Sequence, residues 1–238
     1  MASFSGSSMG LKDRTRRRPI VAIDGPAGAG KSTLARRLAV ALDLPYINTG
    51  LMYRAVTHRA LMAGIDVDDG TRLASLARTL HFAVHPGGRP ELAIDGSTSV
   101  DALMSTAVEQ HVSTVSHHVA VREVLREQQR ALGAGGSVME GRDIGTVVFP
   151  DADVKIFLSA ASDVRADRRA REQGRGPDAA QTVGTRDEMD ALTNPFVPGP
   201  DALVIDATNL SPDAVFAQAL DFVESRVEPR GIRTQRNR

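Results

Sequence analysis

With 238 residues, the chain is long enough for one sizeable hydrophobic core and a small insertion, rather than for two full domains. It contains no cysteine, which excludes a disulfide framework and a thiolate metal site. No apolar run approaches the roughly 18 residues of a membrane span and no signal-like stretch opens the chain, so the expected setting is soluble and cytoplasmic. The 29 basic and 29 acidic residues balance overall, yet the basic ones concentrate at the ends. Residues 1–18 hold five basic side chains and one acid and residues 230–238 hold four and none, which leaves the body net acidic. Both ends lack the apolar content to fold and are expected to be disordered tails flanking one domain at 19–229. No contact with nucleic acid is expected from them.

Taken in order, Pro19 to Asp24 reads PIVAID, a continuous apolar run that suits a strand buried on both faces of a parallel sheet. Gly25 to Ser32 follows as GPAGAGKS, matching the phosphate-binding P-loop, in which backbone N–H groups surround phosphate oxygens. The glycines Gly25, Gly28 and Gly30 are expected to admit that approach, with Pro26, Ala27 and Ala29 between them. Lys31 would reach the β- and γ-phosphates, Ser32 would ligate magnesium, and Thr33 would complete the loop. Leu34, Ala35, Leu38, Ala39, Ala41 and Leu42 then recur at helical spacing, so the loop opens onto a helix N-terminus that favours phosphate. Strand, loop and helix stand in the order that a functional P-loop requires.

A short second strand is predicted at Leu44 to Ile47, delivering Asn48, Thr49 and Gly50 to the edge where α/β sheets bind ligands. A helix from about Leu51 to Ala63 carries Tyr53 and Arg54, close to the P-loop if the two strands are neighbours. Arg54 could hold a phosphate, although an arginine on a helix is more commonly solvated. A helix over Thr71 to Leu80 precedes a hairpin, His81 to Val84 and Glu91 to Asp95, around the turn at residues 85–90. This is read as a small insertion on the main sheet. Thr106 to Leu132 is helical with a break near Ser116, and its polar positions, including Ser113, Arg122, Glu123, Arg126 and Arg130, resemble a solvated face. Ser137 to Glu140 is a third core strand ending in Gly141, Arg142, Asp143, Ile144 and Gly145, where a charged pair between glycines at the ligand edge points to substrate. Val154 to Leu158 is a fourth strand, and Ser162 is read as the N-cap of an arginine-laden helix, Val164 to Glu172. Residues 173–185 form a candidate mobile loop, followed by a short polar helix with Arg186, Asp187, Glu188 and Asp190. Leu203 to Asp206 is the fifth strand, and Ser211 with Pro212 opens a closing helix to about Val227. There is no internal repeat. Five short apolar strands separated by helices imply an α/β fold, a five-stranded parallel sheet covered on both faces.

The chemistry suggested by these parts is phosphoryl transfer, which asks for positioning and charge neutralisation rather than for a strong nucleophile. The arginines between Arg165 and Arg175 could close over ATP as a lid and exclude water. Four runs, IDGPAGAGKST (Ile23 to Thr33), NTGLMYR (Asn48 to Arg54), VREVLREQQR (Val121 to Arg130) and EGRDIGTVVFPDADVKIFL (Glu140 to Leu158), carry a resemblance to the bacterial cytidylate kinases. The resemblance spans about Pro19 to Val227 and is most specific in the last run. It implies the P-loop nucleoside monophosphate kinase fold, with a nucleotide-binding insertion at about 80–105 and a short lid at about 165–190. It also implies transfer of the ATP γ-phosphate to CMP or dCMP with magnesium, by a monomer. Base contacts would fall on Ser113, Arg122 and Asp143, acceptor-phosphate contacts on Arg54 and Arg142, sugar contacts on Arg186 and Asp190, and lid arginines on Arg168 and Arg169; Thr49 would be a further substrate-binding position, keeping the hydroxyl of an expected serine. Lys31, Arg142, Arg168 and Arg169 would be the catalytic set.

Three departures stand beside the resemblance. The segment between Arg171 and Arg186 is short, Thr193 stands where an arginine is expected, and Leu103 with Met104 replaces an isoleucine and arginine pair. Two other readings therefore stay open: a kinase of the same fold for another small acceptor, and a nucleotide-binding paralogue with weak or no catalysis.

Overall fold

The computed structural model describes residues 18–84, 92–97, 100–173 and 197–227. The expected basic tails, the hairpin turn at 85–90, the mobile loop, the polar helix with Arg186 and Asp190, and Thr193 lie outside these residues, apart from Arg18 at the start and Gln173, which ends a helix.

Five parallel strands form the main sheet: β1 (Ile20–Asp24), β2 (Tyr46–Asn48), β5 (Ser137–Gly141), β6 (Val154–Ser159) and β7 (Leu203–Asp206), in the order β2-β5-β1-β6-β7. The alternation of side chains along β1 explains why its whole run is apolar. Val21 and Ile23 pack on one face with Leu34, Leu38 and Leu42 of α1 (Lys31–Leu42) and with Val215, Ala219 and Val223 of α7 (Pro212–Arg226). Ile20 and Ala22 pack on the other face with Ile47, Met139, Ile144 and Val148. A strand sealed on both sides has no face left for polar residues.

The helical half of the molecule has its own core. It contains α2 (Thr49–Met62), α3 (Gly70–Thr79), α4 (Thr106–His117) and α5 (Val119–Gly133), with Met52, Leu73, Val115 and Leu125 fully buried among them. The hairpin β3 (Phe82–Ala83) and β4 (Ala93–Ile94) forms a separate two-stranded antiparallel sheet, not an addition to the main one, and contributes Phe82 and Ile94 to that core.

Local chemistry sets several boundaries differently from the sequence reading. Asn48 Oδ1 accepts from Leu51 N at 3.2 Å, so α2 begins at Thr49 and takes Thr49 and Gly50 into its first turn. The break between α4 and α5 falls at His118 rather than Ser116, because the His118 ring Nε2 donates to the Val67 carbonyl at 2.7 Å while its backbone is extended. Helix α6 (Ser162–Gln173) starts at Ser162, which is thus in its first turn instead of capping it. Ser211 does cap α7, accepting from Ala214 N at 3.2 Å, with Pro212 at the first helical position. Strands β1 and β2 are not neighbours, since β5 lies between them.

Candidate active site

The C-terminal ends of β1, β2 and β5 meet at a cleft of about 240 Å³. The P-loop forms its floor. Gly25 has φ +145°, and a Cβ there would lie 2.0 Å from the Leu158 carbonyl oxygen; Gly28 has φ +74°, and a Cβ there would lie 2.6 Å from the Arg165 carbonyl oxygen. At both positions the atoms that forbid a side chain are the protein's own backbone, so the glycines are fixed by how the loop nests against β6 and α6 as well as by access for phosphate. Lys31 Nζ donates to the Pro26 carbonyl at 2.7 Å, folding the ammonium over the loop. Gly28, Gly30, Lys31, Ser32 and Thr33 line the cleft with Ala27.

The first turn of α2 supplies the opposite wall. Thr49 Oγ1 donates to the Glu140 carbonyl at 2.8 Å. Arg54 is 5 % exposed, not solvated as an isolated helical arginine would be. Its Nη1 donates to the Leu103 carbonyl at 3.0 Å and its Nη2 to Glu109. Tyr53 also lines the cleft. Burial pushes its hydroxyl up to about 12, with the Arg122 guanidinium opposing, so it stays a neutral donor and acceptor.

The third wall comes from the segment after β5, which makes a single π-helical turn at Ile144–Val148. Asp24, at the end of β1, shapes it. Its two carboxylate oxygens accept from Ile144 N and Gly145 N, each at 2.7 Å. Arg130 holds the other end through the Val147 and Val148 carbonyls, both at 2.9 Å. Arg142 and Asp143 are thereby fixed at the cleft. Arg122 and Arg126 both donate to Asp143 Oδ2, at 2.8 and 2.7 Å. The arginines of α5 that resembled a solvated face thus meet the sheet edge, and only Glu123 and Glu127 between them keep to solvent beside the exposed Arg130.

The sequence reading did not single out Asp24, although a carboxylate closing a buried strand is visible in PIVAID. Its burial outweighs the two backbone hydrogen bonds and raises its carboxyl to about 6. An acid raised in the folded state costs stability once the unfolded chain ionises. That cost is absent below pH ~4, grows through pH 4–6 and is complete above, amounting to about 3 kcal/mol for a shift from 3.8 to about 6. The difference in urea-unfolding free energy between wild type and Asp24→Asn is therefore expected to shrink from pH 4 to pH 7. A pH-independent difference would show that Asp24 is not the titrating group.

Glu140 and Tyr46 were also missed. Tyr46 Oη donates to Glu140 Oε1 at 2.5 Å and stands within hydrogen-bonding reach of Ser32. Burial, with the Glu140 carboxylate beside it, pushes the Tyr46 hydroxyl well above its ordinary value.

Of the residues singled out from sequence, Ala27, Gly28, Gly30, Lys31, Ser32, Thr33, Thr49, Arg54, Arg122, Arg142, Asp143 and Arg169 line this one cleft. Ser113 does not; on that stretch of α4 the wall is Val112, Ser116 and His117, and the Ser113 carbonyl accepts from the Ser116 hydroxyl. Arg168 does not either. It turns to the far side of the P-loop, donating to the Ala29 and Ala207 carbonyls at 3.3 and 2.7 Å, where Gly30, Thr33, Leu210 and Pro212 line a second cavity of about 290 Å³. Gly25, Pro26 and Ala29 shape the loop without lining the main cleft, and Ala29 borders the second cavity. Arg186 and Asp190 lie outside the described residues.

A family model described as cytidylate kinase matches residues 21–225. A cytidylate kinase of Geobacillus kaustophilus is 42 % identical over 222 residues, covering 89 % of this chain and 99 % of that protein. A bifunctional pantoate ligase/cytidylate kinase of Synechococcus is also 42 % identical, and there the match covers 89 % of this chain and 46 % of the larger protein. Among solved structures, an uncharacterized protein from Eubacterium ventriosum shares the fold, at 13 % identity with a TM-score of 0.50, covering 88 % of this chain and all of that one.

Proposed function

The chain belongs to the cytidylate kinase family, and from that premise we propose that it transfers the γ-phosphate of ATP to CMP or dCMP, giving ADP and CDP or dCDP in pyrimidine nucleotide metabolism. The observation that carries the choice of acceptor is the Arg122–Asp143 pair, 2.8 Å apart in the cleft that Lys31 also lines. It offers a guanidinium donor beside a carboxylate acceptor. Cytosine presents the reverse, a ring nitrogen and carbonyl that accept beside an exocyclic amine that donates, whereas uracil places an acceptor where that amine would be. A sugar or acid acceptor would have no use for such a pair.

In this reading Lys31 and the backbone around Gly28 and Gly30 hold the β- and γ-phosphates of ATP, with the adenosine directed to the second cavity beside Arg168. Thr49, Arg54 and Arg142 hold the acceptor's phosphate, which is itself the nucleophile, so no general base is needed. Ser113, Arg186 and Asp190 would join only through a rearranged α4 and the segment beyond α6. Magnesium fits the residues present. Among the described residues no cluster of three acidic or histidine side chains could cage a metal alone, and a hard cation that retains water and takes its other ligands from substrate phosphates requires no cage. The Ser32 hydroxyl would hold it, with Glu140 nearby through Tyr46. When bound it neutralises charge on the transferring group. The insertion at about 80–105 would carry the acceptor side, and the lid would begin at α6. Among the described residues no helix is long and apolar enough to cross a membrane. The reading takes the protein to act as a monomer in the cytoplasm.

Phosphorus NMR tests the reading directly. With ATP, magnesium and CMP, the β-phosphate doublet of CDP is expected to grow as ATP signals fall, and chelation of the metal should stop it. ATP consumption that yields only inorganic phosphate would refute the assigned acceptor.

A further inference from the structure

Glu109, in the first turn of α4, joins two arginines from distant parts of the chain. Its carboxylate accepts from Arg54 Nη2 of α2 and, through the other oxygen, from Arg169 Nη2 of α6 at 2.5 Å. The Glu109 and Arg54 side chains are each 6 % exposed and that of Arg169 is 16 % exposed. Ser105 caps α4 by accepting from Val108 N, and the turn before it supplies the Leu103 carbonyl to Arg54 Nη1. Arg54 is thus gripped from two sides by one short segment.

Three facts decide what such a carboxylate does. Arg54 and Arg169 line the cleft, while Glu109 is not part of its wall, so it stands behind the guanidiniums rather than in the space an acceptor's phosphate would take. Arg168, next to Arg169, points to the donor side at Ala29 and Ala207, so α6 is braced on both nucleotide sides and Glu109 is the acceptor-side brace. Finally, Met104, half exposed at the cleft, offers no positive charge at a position beside Arg54 where the family resemblance implies an arginine. A guanidinium from α6 supplies charge there instead.

We propose that Glu109 is a positioning residue that draws Arg169 across the cleft to Arg54 and orients the two as a clamp on the phosphate of the acceptor nucleotide. The inference rests on the function proposed above. One carboxylate between two guanidiniums leaves the cluster with a net positive charge for an incoming dianion. The bonds Glu109 takes use one N–H from each arginine, and a planar guanidinium held at one edge presents its remaining donors in a fixed direction.

The test is steady-state kinetics on the full chain, with CMP and ATP varied separately, for wild type, Glu109→Gln, Arg169→Gln and the double variant, each with a thermal melt. Glu109→Gln is expected to raise KM for CMP about tenfold and to lower kcat, while KM for ATP stays within about twofold. The double variant should lose little beyond Arg169→Gln alone, since Glu109 acts through that arginine and Arg54 keeps its Leu103 contact. Unchanged KM for CMP with only a lower melting temperature would overturn the inference, as would strictly additive losses. If Glu109→Gln does not fold, Arg169→Gln decides: it must weaken CMP and spare ATP. A wild type that turns over no CMP would refute the functional reading, and this inference with it.

Discussion

Lys31→Ala is expected to lower turnover with CMP by about a thousandfold while the protein remains folded, because the loss falls on charge that must be met at the transferring phosphoryl group. The fold should tolerate the change. Lys31 is the first residue of α1 and is half buried, and its ammonium donates to the Pro26 carbonyl of its own loop. The buried side of α1 is carried by Leu34, Ala35, Leu38 and Leu42 instead. Alanine is also a better helix former than lysine. The check pairs turnover with a melt: a variant of wild-type melting temperature and near-normal rate would remove Lys31 from the mechanism, whereas a lost rate with a collapsed melt would indicate a structural role.

The second large effect concerns Asp143. Asp143→Ala should reduce kcat/KM for CMP by about a hundredfold or more, and should narrow the preference for CMP over UMP, because a site that hydrogen-bonds a polar edge rejects the wrong edge by leaving buried groups unpaired. Stability has to be separated from specificity here. Asp143 takes hydrogen bonds from both Arg122 and Arg126, and removing one partner of a shielded ion pair can cost about 3 kcal/mol or more. Asp143→Asn is the control, since it keeps the shape and one acceptor oxygen while adding a donor that uracil could use. It should therefore shift preference toward UMP with a smaller loss of stability. An unchanged ratio of CMP to UMP in both variants would take Asp143 out of base reading.

Much of this arrangement could be read in the sequence because it is local. The P-loop is contiguous, its flanking strand and helix announce themselves by an unbroken apolar run and a helical period, and Arg142 and Asp143 stand directly after a strand. The capping pair Ser211 and Pro212 is equally local. What was not legible depends on contacts between distant segments. The position of β5 between β1 and β2 is a pairing of segments some ninety or more residues apart in the chain, as in Ile47 with Met139 and Ile20 with Ser137. The three arginines of α5 have a pattern that fits solvent; Arg122 and Arg126 leave it only because the turn after β5 brings Asp143 to them, while Arg130 stays exposed and reaches two carbonyls of that turn. Glu109 and Arg169 are 60 residues apart, and each alone is an unremarkable charge on a helix. Arg168 and Arg169 show the same limit, since adjacency in sequence suggested a common role and the helix sends them to opposite sides.

The central claim is that the cleft accepts CMP or dCMP as the phosphoryl acceptor. Its most direct measurement is ADP release with ATP and magnesium in the presence of CMP, dCMP, UMP, AMP or shikimate, each against ATP alone. With CMP and dCMP, kcat/KM is expected well above that with all other acceptors, with a negligible blank. Release that is equal with every acceptor, or absent in a folded protein that still binds ATP, would contradict it.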